Sequence, residues 1–220
     1  MRIDILTLFP SIINSYLDES IIKRAIEKGL VNINVINIRD FSPFKNGQVD
    51  DTPYGGGGGM VLMCEPVFKA IDSVKTSDSI VIMTTPAGIK YNQSTAVDLT
   101  KYKHLILLCG HYEGFDERIK TKVDMEISIG DYVLTGGELA SLVITDSVVR
   151  LLEGVITDTS LESESFTDNL LDYPVYTKPR EYEGLKVPDV LLSGDHKKIN
   201  EYRLEERIRI TKEKRPDLLK

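Results

Sequence analysis

Residues 79–109 read SIVIMTTPAGIKYNQSTAVDLTKYKHLILLC. Ser79–Thr84 is an apolar run of strand length, and His104–Cys109 (HLILLC) reads as a second, buried strand. Between them Ser94–Tyr102 reads as a helix. Strand, helix, strand is the unit from which mostly parallel sheets are built.

The alternation continues in both directions. Upstream, Arg2–Leu8 alternates as a strand and runs into Pro10, and Val31–Ile38 alternates again. Ser20–Lys28 has helical spacing with Gly29 placed to end it, and Pro66–Val74 reads as a helix with proline near its first turn. Downstream, Thr135–Leu152 reads as a helix whose start, Thr135-Gly136-Gly137-Glu138, fits a capping box. The expected fold is α/β, a mostly parallel sheet flanked by helices. The acidic, Ser-rich stretch Asp158–Asp168 reads as a linker. Beyond it one strong helix, roughly Lys197–Lys214, belongs to a segment too small for a secure core of its own. The expected organisation is a first domain over 1–157, a linker over 158–169 and a mainly helical domain over 170–220.

Composition narrows the class. Hydrophobic residues make up 41% and charged residues 28% of the 220, the balance of a soluble globular protein. No apolar run approaches the roughly 18–20 residues of a membrane span, and the N-terminus lacks the features of a signal peptide. Cys64 and Cys109 make no disulfide framework and are expected as buried free thiols, so a cytoplasmic location is expected. The net charge of −7 by itself disfavours nucleic acid as a partner. Its distribution is uneven: residues 155–174 carry five acids and no base, whereas residues 195–220 carry nine Lys/Arg against six Asp/Glu. The basic tail reads either as a solvated helix face or as a set of phosphate contacts.

Three loops concentrate glycine after apolar segments: Val49–Met60 (VDDTPYGGGGGM), Cys109–Arg118 (CGHYEGFDER) and Ser128–Glu138 (SIGDYVLTGGE). Such loops suit small-ligand sites because glycine lets the backbone approach closely. They are not a P-loop, since G-x-x-x-x-G-K-[ST] is absent. The first strand ends in Leu8-Phe9-Pro10 with no glycine-rich turn, which disfavours a Rossmann site. His104, His111 and His196 lack metal-ligand spacing, and no Ser-His-Asp set assembles.

PYGGGGGM (53–60), LLCGHYEGFDER (107–118), SIGDYVLTGGE (128–138), DSVVR (146–150), LLDYPVYTKP (170–179), VPDVLLSGDH (187–196) and RLEERIRITKEKRPDLL (203–219) follow one another in a distinctive order. In that order the chain resembles the bacterial tRNA (guanine-N(1))-methyltransferases of the TrmD type over essentially its whole length. The resemblance implies a SPOUT-class α/β domain with a deep trefoil knot and a homodimer with active sites at the interface. It further implies S-adenosylmethionine as methyl donor, tRNA with guanosine at position 37 as acceptor, and dependence on Mg²⁺. Matching positions place the donor against Met83, Thr84, Thr85, Pro86, Gly110 and the run Ile129, Gly130, Asp131, Tyr132, Val133 and Leu134. Gly136, Gly137 and Ala140 lie beside it, and Tyr112 and Glu113 line the same pocket. The target guanine falls near Asp50, Pro53, Tyr54 and Gly55–Gly59, with Gly55 and Gly59 at its ends, and Asp172 matches an acid linked to substrate binding.

The chemistry asks for two more groups. Ring N1 of guanine carries a proton near pH 7, so methylation needs a base near N1 and a cation near O6. The resemblance supplies the cation as Arg150 and the base as a carboxylate before Ser-Phe. That carboxylate is usually Asp in the family and here is Glu164, with Glu162 and Asp168 as neighbouring acids. Position 111 also departs, His standing where many members carry Arg. Glu113 and Asp172 are the acids available for Mg²⁺, but spacing defines no metal site. Two other readings are a knotted methyltransferase acting on ribose 2′-oxygens and a catalytically weak protein that binds donor and RNA.

Overall fold

A computed structural model of the chain describes residues 1–157, 164–166 and 168–220. They divide into two compact units, Met1–Ile156 and Thr157–Lys220.

The first unit is built on β1 (Arg2–Thr7), β2 (Asn32–Asn37), β5 (Ser79–Lys90), β6 (His104–Leu108) and β7 (Met125–Ser128), with the short pair β3 (Asp50–Asp51) and β4 (Val61–Leu62) beside them. The five long strands form one sheet in the order β2-β1-β6-β5-β7, and every pair in it is parallel. Helices α1 (Pro10–Leu17), α2 (Ser20–Glu27), α3 (Cys64–Val74), α4 (Gln93–Leu99) and α5 (Glu138–Val149) fill the connections. This is the α/β architecture that the sequence predicts.

Alternate side chains of each strand feed two separate cores, because successive residues point to opposite faces. Ile3, Ile5, Leu105 and Leu107 pack with Ile13, Ile22, Leu99, Ile144 and Val148 on one face. Leu6, Val81, Met83, Ile106 and Leu108 pack with Val67, Ala70 and Ile71 of α3 on the other. Strand β6 is central and buried along its whole length, which is why it reads as an unbroken apolar run. At the sheet's lower edge a polar row crosses the strands. Asp4, fully buried, accepts from Asn34 Nδ2 (2.7 Å), contacts His104 Nε2 (2.8 Å) and pairs with Arg2. The His104 ring reaches Ser79 through Nδ1 (2.9 Å). His104 is thus a structural histidine.

Several boundaries differ from the sequence expectation. Pro10 opens a helix, its missing N–H costing nothing at N1, so the first strand stops at Thr7. Strand β5 runs on to Lys90 with a register shift between Thr84 and Ile89, and the four-residue β7 beside it was not expected from the sequence. Helix α5 starts at Glu138, and the Thr135 capping box does not form: Gly137 is the N-cap, with no side-chain cap. Gly29 does end α2. It has φ 70°, its N–H donates to Ile26 O, and the next N–H, of Leu30, reaches Ala25 O, the double bond of a Schellman motif.

In the second unit a small hairpin pairs Glu181–Tyr182 with Leu185–Lys186, followed by a short helix Asp189–Leu192 and a long one, His196–Lys214. The long helix is capped by Asp195, whose side chain accepts from the N–H groups of Lys197 and Lys198. Among the described residues no helix is long and apolar enough to cross a membrane.

Candidate active site

The sheet delivers three chain segments to one place. Strand β6 ends at Leu108, two residues before Gly110, the irregular part of β5 begins at Thr84, and β7 ends at Ser128. Between them lies a cleft of ≈ 410 Å³, within the range of small-molecule sites, roughly 300–1,000 Å³. Its walls are Met83–Pro86, Gly110–Phe115, Ile127–Gly130 and Tyr132–Gly137, with Ala140 of α5 at the back.

Backbone contacts hold these walls together. Gly137 N–H donates to Gly110 O at 2.7 Å, and His111 bridges to Gly136 as an isolated antiparallel pair. A Cβ on Gly137 would meet Thr84 Oγ1 and the backbone of Gly110 and Cys109, so only glycine permits this approach. Thr84 Oγ1 itself donates to Leu108 O (3.1 Å). The second glycine-rich loop is tied to the first: Glu113 N–H reaches Met60 O (3.0 Å) and Leu62 N–H reaches Gly114 O (2.9 Å). The Gly59 α-carbon faces the Glu113 side chain so closely that a methyl group there would collide with the carboxylate.

Under the floor sits a buried carboxylate. Glu138 accepts from Thr7 Oγ1 at 2.7 Å, and a methyl on Gly136 would touch both its other oxygen and His111 Nδ1. That ring nitrogen is buried and has no partner among the described residues. Cys109 is also buried there, its Sγ 3.1 Å from Ser141 Oγ, and burial pushes its thiol far above the ordinary range. Cys64 is only half-buried, which corrects the expectation that both thiols are interior.

The predicted donor positions Met83, Thr84, Thr85, Pro86, Gly110, Tyr112, Glu113, Ile129, Gly130, Tyr132, Val133, Leu134, Gly136, Gly137 and Ala140 all line this cleft. Asp131 does not line it. It is exposed and pairs with Lys90 (3.0 Å). The cleft adds His111, Gly114, Phe115, Glu117, Lys120, Ile127, Ser128 and Thr135. All but Lys120 and Ile127 lie inside the quoted loops and were within reach of the sequence. The Thr7–Glu138 bond was not, because its partners are 131 positions apart.

The remaining predicted residues are spread more widely. Asp50 sits half-buried on β3, and Tyr54 is fully exposed. Gly55, Gly56, Gly57 and Gly59 all take positive φ, a conformation other residues adopt only with strain. Arg150 is the half-buried C-cap of α5, its N–H bonded to Asp146 O (3.0 Å). Glu164 and Asp172 belong to the second unit. The Asp172 N–H donates to Ser165 Oγ (2.9 Å), beside Glu164. Asp168 is clamped by Arg207 through two N–H···O bonds of 2.9 and 2.5 Å, while Arg207 Nε donates to Leu171 O. The guanidinium holds the Asp168 carboxyl below the usual carboxylate range. Glu162 lies outside the described residues. Among the described residues no group of three His, Cys, Asp or Glu is placed to hold a metal, so the expected Mg²⁺ gains no support.

A family model described as "tRNA (Guanine-1)-methyltransferase TrmD" matches residues 1–220. Similar proteins carry the description "tRNA (guanine-N(1)-)-methyltransferase". One from Mycoplasma capricolum is 58% identical over 220 residues, covering 100% of this chain and 92% of the relative. One from Clostridioides difficile is 58% identical over 226 residues, covering 100% and 98%. One from Dictyoglomus turgidum is 55% identical over 220 residues, covering 100% and 90%.

Proposed function

Because this chain belongs to the TrmD family of tRNA (guanine-1)-methyltransferases, and is a methyltransferase with that activity, we propose that it methylates N1 of guanosine at tRNA position 37 with S-adenosylmethionine as donor. The observation that carries the donor assignment is the cleft. Its backbone-rich walls meet through Gly137 and Gly110 at a distance no side chain would allow. Main-chain N–H and C=O groups outside regular structure are rigid partners for an adenine edge. The half-apolar wall formed by Tyr132, Val133 and Leu134 suits the rest of the donor. Tyr112 and Glu113 would close the side nearest the glycine run, where Asp50, Pro53, Tyr54, Gly55 and Gly59 would receive the guanine.

When bound, the donor supplies a methyl group already activated by the sulfonium. The protein's task is on the acceptor. Glu164 takes the proton from guanine N1, and Arg150 offsets the negative charge that this leaves on O6. Glu164 stands four residues before the Asp168–Arg207 clamp, so its segment is anchored to the long helix of the second unit. The first unit would be the donor-binding domain and the second the tRNA-contacting one.

Two further features of the family are proposed here. The contact of the chain after β7 with the chain after β6, through Gly137–Gly110 and His111–Gly136, supports the trefoil knot. Exposed Leu139 and Val143 on α5, with Ile12 and Tyr16 on α1, support a homodimer.

The test is single-turnover methylation of tRNA transcripts carrying G or A at position 37, with the product mapped by mass spectrometry. Wild type is expected to add one methyl to G37 at N1 and none to A37. Glu164→Gln is expected to slow the step by at least about a hundredfold, and Glu164→Asp to retain most of it. A near-normal rate in Glu164→Gln would remove Glu164 as the base, and a methyl on ribose would remove the N1 assignment.

A further inference from the structure

The second unit contains a cavity of its own, ≈ 560 Å³, lined between the segment 173–180, Val187, the short helix Asp189–Leu192 and the face of the long helix that carries Ile199 and Arg203. Its lining includes three cations, Lys178, Arg180 and Arg203, and no Asp or Glu. This is unusual in a chain with 34 acids and 27 bases. Elsewhere in the unit Lys186, Lys198, Arg207, Arg209 and Arg215 are each paired with a carboxylate. Lys178, Arg180 and Arg203 have no such partner among the described residues.

Arg203 is the most telling of the three. Its guanidinium lies over the Tyr173 ring, 4.7 Å from the centroid. Its Nε is buried and has no hydrogen-bond acceptor. A guanidinium N–H shut away from water without an acceptor is costly, and an incoming oxygen would remove that cost. Tyr176, also in the lining, is about half exposed and offers an aromatic face. Unpaired cations beside aromatic rings are what a flexible nucleotide strand requires: stacking for the base and positive charge for the phosphate.

We propose that this cavity is a nucleotide-binding subsite, in which an unpaired nucleotide of the tRNA stacks on Tyr176 while Arg180, Lys178 and Arg203 hold its phosphate and base oxygens. The proposal rests on the reading of tRNA as substrate. It adds a contact contained within the second unit, separate from the residues assigned to the methyl transfer.

The experiment uses the full chain with an unmodified tRNA transcript. Affinity is measured by filter binding over a range of salt for wild type, Tyr176→Ala, Tyr176→Phe, Arg180→Gln and Arg203→Gln. Donor affinity by calorimetry and the sedimentation coefficient are measured alongside. Tyr176→Ala is expected to weaken tRNA binding roughly tenfold, with Tyr176→Phe close to wild type, because stacking needs the ring and not the hydroxyl. Arg180→Gln is expected to weaken binding and to flatten the dependence on salt by about one ion. Donor affinity is expected to stay unchanged. Transcripts carrying 4-thiouridine in single-stranded loops are expected to crosslink to the peptide containing Tyr173 and Tyr176. Wild type that binds and methylates tRNA, with all four variants indistinguishable from it, overturns the subsite and leaves the methyltransferase reading intact. Wild type that does not bind tRNA overturns both. Loss of binding together with a changed sedimentation coefficient assigns the cavity to a second copy of the chain and overturns the nucleotide.

Discussion

Gly137 shows how little room the proposed donor site leaves. Its φ of −83° is ordinary, so the backbone there does not itself demand glycine. The demand is spatial. An added Cβ would stand 2.7 Å from Gly110 N and 2.8 Å from Cys109 Cα, main-chain atoms that no rotamer change moves aside. Gly137→Ala must therefore push α5 away from the end of β6 and stretch the Gly137–Gly110 hydrogen bond. The expected cost is about 1–3 kcal/mol of stability. S-adenosylhomocysteine binding, measured by calorimetry, is expected to weaken at least tenfold because the shift opens the cleft's back wall. Gly58 is the control. A Cβ there meets nothing within 4 Å and its φ is not positive. Gly58→Ala is expected to leave both stability and donor binding unchanged, and equal effects at the two positions would refute the steric account.

At the scale of elements, Asp168 and Leu171 tie their part of the chain to the helix His196–Lys214: Arg207 clamps the Asp168 carboxylate and donates from Nε to Leu171 O, and the Leu171 N–H donates to Thr211 Oγ1 (2.8 Å). Arg207 is buried while the Asp168 side chain is about half exposed (51%), so water screens the pair and its Coulomb energy must be discounted. Asp168→Asn is expected to cost about 1 kcal/mol at pH 7. Asp168 has its folded pKa lowered, so its contribution is complete above the unfolded carboxylate value of about 3.9 and fades as pH falls through the folded one. Urea unfolding of Asp168→Asn and wild type should thus differ at pH 7, and the difference should shrink as pH falls below the unfolded carboxylate value of about 3.9. The same element scale marks what the sequence made legible. The parallel sheet was readable because β6 is buried on both faces and carries an unbroken apolar run, and α2 because Gly29 stands at its Schellman turn. Strand β7 was not: four residues, MEIS, with Glu126 among them, carry too short a pattern. The start of α5 misled for a physical reason. Glu138 fits a capping box locally, but its carboxylate turns inward to Thr7 Oγ1, and that partner lies 131 positions away. The three glycine-rich loops were visible one by one. Their convergence depends on strand order, β7 lying beside β5 and not β6, which periodicity cannot reveal.

For the whole molecule the decisive surface is the one that α5 leaves uncovered. Most of α5 is buried, yet Leu139 and Val143, four residues apart and so on one face, are exposed. Ile12 and Tyr16 are exposed on α1, where burial of the Tyr16 hydroxyl, with its hydrogen bond to Asp146 of α5 adding to it, pushes its pKa up to about 12. Val133 and Leu134 are exposed as well and belong to the cleft wall. A two-fold dimer would bury the exposed face of α5 against its own copy, and each substitution in it would then act twice. Val143→Glu places two carboxylates in the proposed interface. At about 2 kcal/mol each this is on the order of 4 kcal/mol, roughly a thousandfold in association. Sedimentation equilibrium should show wild type as a dimer and Val143→Glu as a monomer at micromolar concentration. If the partner copy also covers the exposed Val133 and Leu134 of the cleft wall, donor affinity should fall with the dimer, and raising the protein concentration should restore both together. A Val143→Glu chain that remains dimeric would place the interface elsewhere. A monomer that keeps full donor affinity would show that one chain completes the donor site alone.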